Sequence, residues 1–248
     1  MNIAIVGFAK MGQLIGQKAE ELGINVVSTI DPAAKAAKFT EISAESVKGA
    51  DACIDFSVPQ AALQNITKLA GLKKNIVMGT TGWYEHTPEA RKIVEHAGIG
   101  MVYAGNFSLG VNAFYRILEK ACNTMDGLGE YDVFAYEIHH NRKKDSPSGT
   151  AEEIGKIISK NIARKTRIAT ERLDRKIEPD ELHLASVRGG FVPGTHTVVF
   201  DSAFDSIELS HIARTREGFA FGALKAAQWI QGKKGFYHIS DWMKETLK

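Results

Sequence analysis

The chain has only two cysteines, Cys53 and Cys122, in 248 residues. Both sit in apolar segments, which excludes a disulfide framework and reads as buried thiols in a reducing compartment. No stretch approaches the roughly 18 apolar residues that a membrane-spanning helix needs. The opening Met1-Asn2-Ile3-Ala4-Ile5-Val6 lacks the basic start and long apolar run of a secretory leader, and reads as a buried strand. An excess of one charge is also missing. Lys and Arg number 31 against 29 Asp and Glu, a net charge of +2, too even for a nucleic-acid surface. The absences leave a cytoplasmic protein with no nucleic-acid or membrane partner. Its 44% hydrophobic and 24% charged residues suit a packed core and argue against disorder.

The first half alternates short apolar runs with helical patterns. Strands are expected at Ile3–Val6, Ile24–Ile30, Ala52–Phe56, Asn75–Met78 and Gly100–Tyr103. Helices are expected at Met11–Leu22, Pro59–Ala70 and Pro88–His96, the last two opened by a proline near the first turn. Such alternation implies a parallel sheet with right-handed crossovers. The second half differs. After a helix near Val111–Cys122, the runs Tyr131–His139, His183–Arg188, His196–Asp201 and Ser206–Ala213 alternate polar with apolar residues. They read as a half-exposed antiparallel or mixed sheet. An amphipathic helix near Phe219–Ile230 closes the chain. The expected fold class is α/β: a Rossmann-type domain over 1–107 and an α+β domain over 108–216 with a mixed sheet.

Gly7-Phe8-Ala9-Lys10-Met11-Gly12 lies between the first strand and the first helix, where a Gly-x-Gly-x-x-Gly turn receives a dinucleotide pyrophosphate. Ala9 replaces the middle glycine. Asp31 ends the second strand, about 20 residues on, where a carboxylate accepts from the adenosine ribose hydroxyls and repels a 2′-phosphate. The alternative is that Asp31 only caps the turn before Pro32. The expected cofactor is NADH or NADPH, with NADH favoured.

Glu137-Ile138-His139-His140-Asn141-Arg142-Lys143-Lys144-Asp145-Ser146-Pro147-Ser148-Gly149-Thr150-Ala151 is the densest chemical segment. Histidine exchanges protons near neutrality, and lysine and arginine hold anions. Ser148-Gly149-Thr150 precedes a helical pattern whose first amides can bind a carboxylate. Thr150 with Glu153 fits a capping box, so a solvated basic loop before a capped helix is the plainer alternative.

The run His139-His140-x-x-Lys143-x-Asp145-x-Pro147-Ser148-Gly149-Thr150-Ala151 resembles the signature of the dihydrodipicolinate reductase family (4-hydroxy-tetrahydrodipicolinate reductase) of bacterial lysine biosynthesis. The resemblance extends through the glycine turn, Asp55-Phe56-Ser57 and Arg188 to Phe219. It departs at Ala9 and Lys10, where many relatives have a longer Gly-Arg-Met-Gly turn. It implies His139 as proton donor and Lys143 as a second donor that stabilises developing negative charge. His140, Ser148, Gly149 and Thr150 would hold a cyclic dicarboxylate. It assigns Gly79, Thr80 and Thr81, and Ala104, Gly105, Asn106 and Phe107, to the nicotinamide, with Arg216 and Phe219 in the hinge and cofactor region. It assigns 217–248 to the first domain, which that segment completes. It further implies a homotetramer formed through the second domain's sheet, and no metal. Two other readings remain open: another Rossmann dehydrogenase of amino-acid metabolism, of diaminopimelate or aspartate type, and a non-enzymatic dinucleotide sensor.

Overall fold

The computed structural model describes residues 1–246. Its elements in chain order are β1 (Asn2–Val6), α1 (Lys10–Glu21), β2 (Asn25–Ile30), β3 (Ala52–Asp55), α2 (Pro59–Gly71), β4 (Asn75–Met78), α3 (Thr87–Ala97), β5 (Gly100–Tyr103), α4 (Leu109–Met125), β6 (Asp132–His139), α5 (Gly149–Asn161), β7 (Arg167–Ala169), β8 (Glu181–Arg188), β9 (Thr195–Asp201), β10 (Ser206–Ile212), α6 (Glu217–Trp229), β11 (Gly235–His238) and α7 (Ile239–Thr246). They form two compact units. One is Met1–Leu109 with the chain from Glu217 onward, and the other is Gly110–Arg216.

The first unit holds a six-stranded parallel sheet in the order β11-β5-β4-β3-β1-β2. Its central strands are apolar apart from the end residues Asn2, Asp55 and Asn75, as suits a sheet with helices on both faces. Ile3, Ala4, Ile5, Ala52, Cys53 and Ile54 have no exposure. One face packs on Ile15 and Ala19 of α1, Ala220, Ala223 and Leu224 of α6, and Trp242 of α7. The other packs on Ala62 and Ile66 of α2 and Ala90 and Val94 of α3. The strand order reverses beside β1, the point at which open parallel sheets take ligands at their carboxyl ends. Both cysteines are buried and unbonded to each other. No helix among the described residues is long and apolar enough to cross a membrane.

Two expectations for the chain's end need correction. The helix near Phe219–Ile230 is neither amphipathic nor last. α6 buries Ala220, Gly222, Ala223, Leu224, Ala226 and Ala227, a small-residue helix enclosed on most sides. β11 then adds a parallel edge to β5, and α7 follows.

The second unit is a five-stranded mixed sheet in the order β10-β9-β6-β8-β7, with β6 antiparallel to β9 and parallel to β8. Helices α4 and α5 cover one face over a core that includes Leu118, Cys122, Val133, Ala135, Ile154, Ile158, Leu184 and Phe200. Phe134 and Val187 point to the opposite face, where they are 39% and 51% exposed. The short strand β7, absent from the sequence expectation, extends the sheet beyond β8.

Candidate active site

In the first unit, β1 runs into Gly7, whose φ of 83° suits glycine; an added Cβ would lie 2.3 Å from the Phe56 carbonyl oxygen. A Cβ at Gly12 would lie 2.1 Å from the Gly7 carbonyl oxygen, so α1 can start this close to the turn only with glycine there. Ala9 is the N-cap of α1 and no side chain caps it, which leaves the positive helix start to an anion. Phe8 N–H donates to Asp31 Oδ2 at 2.7 Å, and the amides of Ala33 and Ala34 donate to Oδ1 at 2.8 and 2.9 Å. Partial burial would raise the Asp31 carboxyl, but these three amides outweigh it and hold it below its ordinary value. Asp31 therefore caps its turn and also presents a charge beside the glycines. A narrow glycine cradle, an open helix start and an adjacent carboxylate fit a dinucleotide.

The loops after β4 and β5 meet each other. A Cβ on Gly105 would come 4.0 Å from the Thr81 methyl and 3.1 Å from the Tyr84 hydroxyl. Thr80 turns inward instead and donates to Asp55 Oδ1 at 2.8 Å, and Gly79 presses on the Phe56 ring. Thr81 and Gly105 are exposed, whereas Ala104 and Phe107 are core residues. The Asn106 side chain accepts from Ser108 N–H at 2.8 Å. Phe8 and Met11 are half-buried against the core, and Lys10 is exposed. Phe219 is half-buried in α6, and Arg216 is exposed as the last residue of the second unit.

In the second unit, strand alternation puts Glu137 and His139 on the covered face of β6. Register supplies their neighbours. Glu137 lies between Ser186 of β8 and His196 of β9, and His139 lies beside Arg188. Glu137 has no exposure. It accepts from Ser148 N at 2.9 Å, the Ser148 hydroxyl, Ser186 Oγ at 2.9 Å and Arg188 Nη2 at 2.6 Å. Burial alone would raise its carboxyl, but His196, Ser148, Arg188 and Ser186 outweigh burial and hold it far below the carboxylate range. His139 is pushed down to about 4, chiefly by burial. Its ring meets His196 edge-on at 5.1 Å between centroids.

Ser148, not Thr150, caps α5; its Oγ accepts from Ala151 N at 3.2 Å. The expected Thr150–Glu153 box is therefore not formed, because Thr150 already lies inside the first turn. The Ser148 hydroxyl is taken up by Glu137 and lies 3.2 Å from His196 Nε2. Gly149 is exposed and Thr150 half-buried, with its side chain on Tyr115. His140 is half-buried, and its amide donates to the Val192 carbonyl at 2.8 Å. Lys143 Nζ is 2.9 Å from Asp145, whose backbone carbonyl accepts from Arg188. His139, His140, Lys143 and the start of α5 thus converge on one end of the sheet. Ligand atoms of Glu137, His139 and His196 lie within 4.8 Å of one another, a spacing that a metal could use. The Arg188 guanidinium on Oε1 of Glu137 already supplies one positive charge to this group.

The sequence reading missed Glu137, Ser186 and His196, and assigned Arg188 no role. One signal was present: Glu137 stands two residues before His139 in an alternating strand, so the two share a face, and an acid on a buried face requires partners.

One unit carries a dinucleotide-type glycine turn and the other a histidine–lysine cluster beside a helix start, parts that suit an oxidoreductase. Residues 110–243 match the family model described as dihydrodipicolinate reductase, C-terminus, and residues 1–107 match the one for the N-terminus. The chain belongs to the dihydrodipicolinate reductase family. The 4-hydroxy-tetrahydrodipicolinate reductase of Christiangramia forsetii is 37% identical over 100% of both chains. That of Geobacter sulfurreducens is 41% identical over 79% of this chain and 74% of its own. A dipicolinate-bound dihydrodipicolinate reductase from Paenisporosarcina sp. TG-14 shares the fold, with a TM-score of 0.79 at 20% identity, covering 97% of this chain and 98% of that one. The family membership disfavours both the other amino-acid dehydrogenases and a non-enzymatic sensor.

Proposed function

We propose that this chain carries out its family's reaction, the reduction of 4-hydroxy-tetrahydrodipicolinate to tetrahydrodipicolinate by NAD(P)H, with His139 as proton donor and Lys143 as the cation on the substrate. The carrying observation is that His139 and the Ser148 amide at the start of α5 meet on one buried carboxylate, Glu137, with Lys143 on the loop between them. The cofactor, when bound, supplies the hydride. The protein's share is to orient the substrate and to protonate the atom made electron-rich. His140, Gly149 and Thr150 suit the carboxylates of a ring dianion, through a side chain and a helix start. Dipicolinate, the ligand of the Paenisporosarcina relative, is such a dicarboxylate. Ser148 acts from behind as the brace of that helix start. Lys143 reaches the substrate by leaving Asp145. His139 is unprotonated at neutral pH in this state. A dianion beside it favours the imidazolium, which brings its pKa toward working pH.

Asp31 supports NADH as at least as good a donor as NADPH, since its carboxylate is ionised and Pro32 brings no cation. The Gly7–Gly12 turn takes the pyrophosphate, and Thr81, Gly105 and Asn106 take the nicotinamide end. The open sheet face, with Phe134, Val187 and Ile212 exposed, supports a homotetramer. Two buried thiols are consistent with the cytoplasm.

Steady-state kinetics test the site. His139→Gln lowers turnover about 10²–10⁴-fold, the contribution of a general acid, with little change in the cofactor KM. Lys143→Ala lowers turnover and also raises the substrate KM. Near-normal turnover in both variants overturns the assignment.

A further inference from the structure

Glu137 is a fully buried acid to which the mechanism above gives no task. Its Oε2 lies 3.1 Å from His139 Nδ1 and 3.5 Å from His196 Nε2. The first distance is short enough for a hydrogen bond, yet the nitrogen is off line, and His139 Nδ1 is buried with no bond made. A buried polar atom without a partner is costly. Placed next to an ionised carboxylate, it has one inexpensive remedy: a small ring rotation that lets Nδ1–H donate to Oε2.

The other edge of the ring is also shaped. A Cβ on Gly194 would stand 2.9 Å from His139 Nε2 and 3.4 Å from Cδ2. Any side chain there would press on Nε2, so glycine keeps that nitrogen accessible. The ring has one nitrogen toward an anion and the other beside Gly194. The first fixes the chemistry of the second. With Nδ1–H on Glu137, a neutral ring carries a lone pair at Nε2 and can donate nothing from it. Only the imidazolium has an Nε2–H, and an ionised carboxylate at Nδ1 is what makes the imidazolium tolerable in a buried place.

We propose that Glu137 is the positioning residue of the reduction: it orients His139 with Nδ1 toward its Oε2 and Nε2 past Gly194, and its charge supports the imidazolium that delivers the proton. The proposal rests on His139 being the donor. In the step, the Nε2–H bond breaks, its electron pair stays on the ring, and the proton goes to the substrate carbon that the hydride has made electron-rich. The neutral imidazole then takes a proton from water. Groups on every neighbouring element act on this histidine. Glu137 shares its strand, Lys143 follows on the next loop, Arg188 comes from β8 and His196 from β9, with His211 of β10 behind His196. Glu137 alone favours the charged ring, whereas burial, His196, Lys143 and Arg188 oppose it. His196, Ser148 and Arg188 together hold the Glu137 carboxyl low, so the supporting charge stays constant across the working pH range.

The test is ¹⁵N-histidine NMR on the full-length enzyme, wild type and Glu137→Gln, titrated with and without dipicolinate, together with the pH profile of kcat. The glutamine keeps the shape and removes the charge. The expected result is a His139 pKa at least about one unit lower in Glu137→Gln, a tenfold change in the protonation constant. The basic limb of kcat should move the same way, kcat should fall at least tenfold, and the cofactor KM should hold. An unmoved His139 titration and an unmoved limb overturn the proposal. If His139→Gln itself keeps normal turnover, the donor reading fails instead, and the NMR shift still reports on Glu137 separately. If Glu137→Gln does not fold, the neutral tautomer of His139 in the wild type decides: Nδ1–H supports the proposal and Nε2–H overturns it.

Discussion

Asp55 in the first unit and Glu137 in the second are both carboxylates without exposure, and their surroundings drive them in opposite directions. Asp55 accepts from Ser57 N at 2.9 Å, Ser57 Oγ at 2.7 Å, Thr80 Oγ1 at 2.8 Å and Asn65 Nδ2 at 2.8 Å. All four donors are neutral. Burial wins over them, and the carboxyl is raised above its ordinary value. Glu137 has as many bonds, but one donor is the Arg188 guanidinium, and its carboxyl is lowered. Filling the lone pairs of a buried acid with neutral donors therefore does not by itself lower its carboxyl; at Glu137, His196, Ser148 and Arg188 together outweigh burial. The roles diverge accordingly. Asp55 ties the end of β3 to the Gly79–Thr81 loop and acts as a brace. Glu137 holds a fixed charge beside a histidine.

The largest expected effect comes from removing that cation. Arg188→Met leaves Glu137 buried and unpaired, and should destabilise the second unit by about 3–5 kcal/mol. Hydrogen exchange of β6 and β8 amides reads this unit separately. A loss below about 1 kcal/mol would mean that the neutral donors suffice, and the contrast with Asp55 would collapse.

Next in size is Asp55→Asn, which costs about 1–3 kcal/mol by leaving one donor without its acceptor. The two acids should also carry opposite pH signatures. Asp55 has an ordinary value of 3.8 and a raised folded value, so its titration favours the fold below 3.8 and the benefit is lost as pH rises through the folded value. Glu137 has an ordinary value of 4.5 and a lowered folded value, so its benefit is present above 4.5 and lost as pH falls. The advantage of wild type over Asp55→Asn should shrink on going from acid to neutral pH. Its advantage over Glu137→Gln should shrink on acidification. Urea midpoints across the acidic range check both, and slopes of the same sign would refute the contrast.

The smallest effect separates the units by function. Wild type should use NADH at least as well as NADPH by kcat/KM. Asp31→Ser with Pro32→Arg should move preference toward NADPH by exchanging an acceptor for a bidentate cation, with the substrate KM unchanged. A tenfold wild-type preference for NADPH, about 1.4 kcal/mol, would show that Lys35 or Lys10 governs this pocket instead.

The parallel sheet was legible because each strand is a short apolar run between a turn and a helix, as in Ile3–Val6 and Asn75–Met78. What escaped was short or non-local. β7 has three residues, and β11 has four, two of them aromatic, beyond a lysine-rich turn. Such lengths carry no periodicity. The helix start at Ser148 was misplaced by two residues because Ser, Gly and Thr in a row all tolerate the cap position. In the site, the histidine–lysine segment is contiguous and could be read. His196 and Ser186 reach Glu137 only through strand register, which no local pattern states.

The second unit is one unbroken stretch, Gly110–Arg216, set between the two pieces of the first. This order has a consequence for synthesis. Chains emerge at about 5–20 residues per second, and domains fold as units. The second unit therefore has all its residues before the first, although the first begins earlier. Until α6 emerges, Ile5, Ile54 and Val77 lack the cover of Ala220, Ala223 and Leu224. The nascent sheet must wait for more than a hundred residues made after its own fifth strand, with only α1 on one of its apolar sides in that interval.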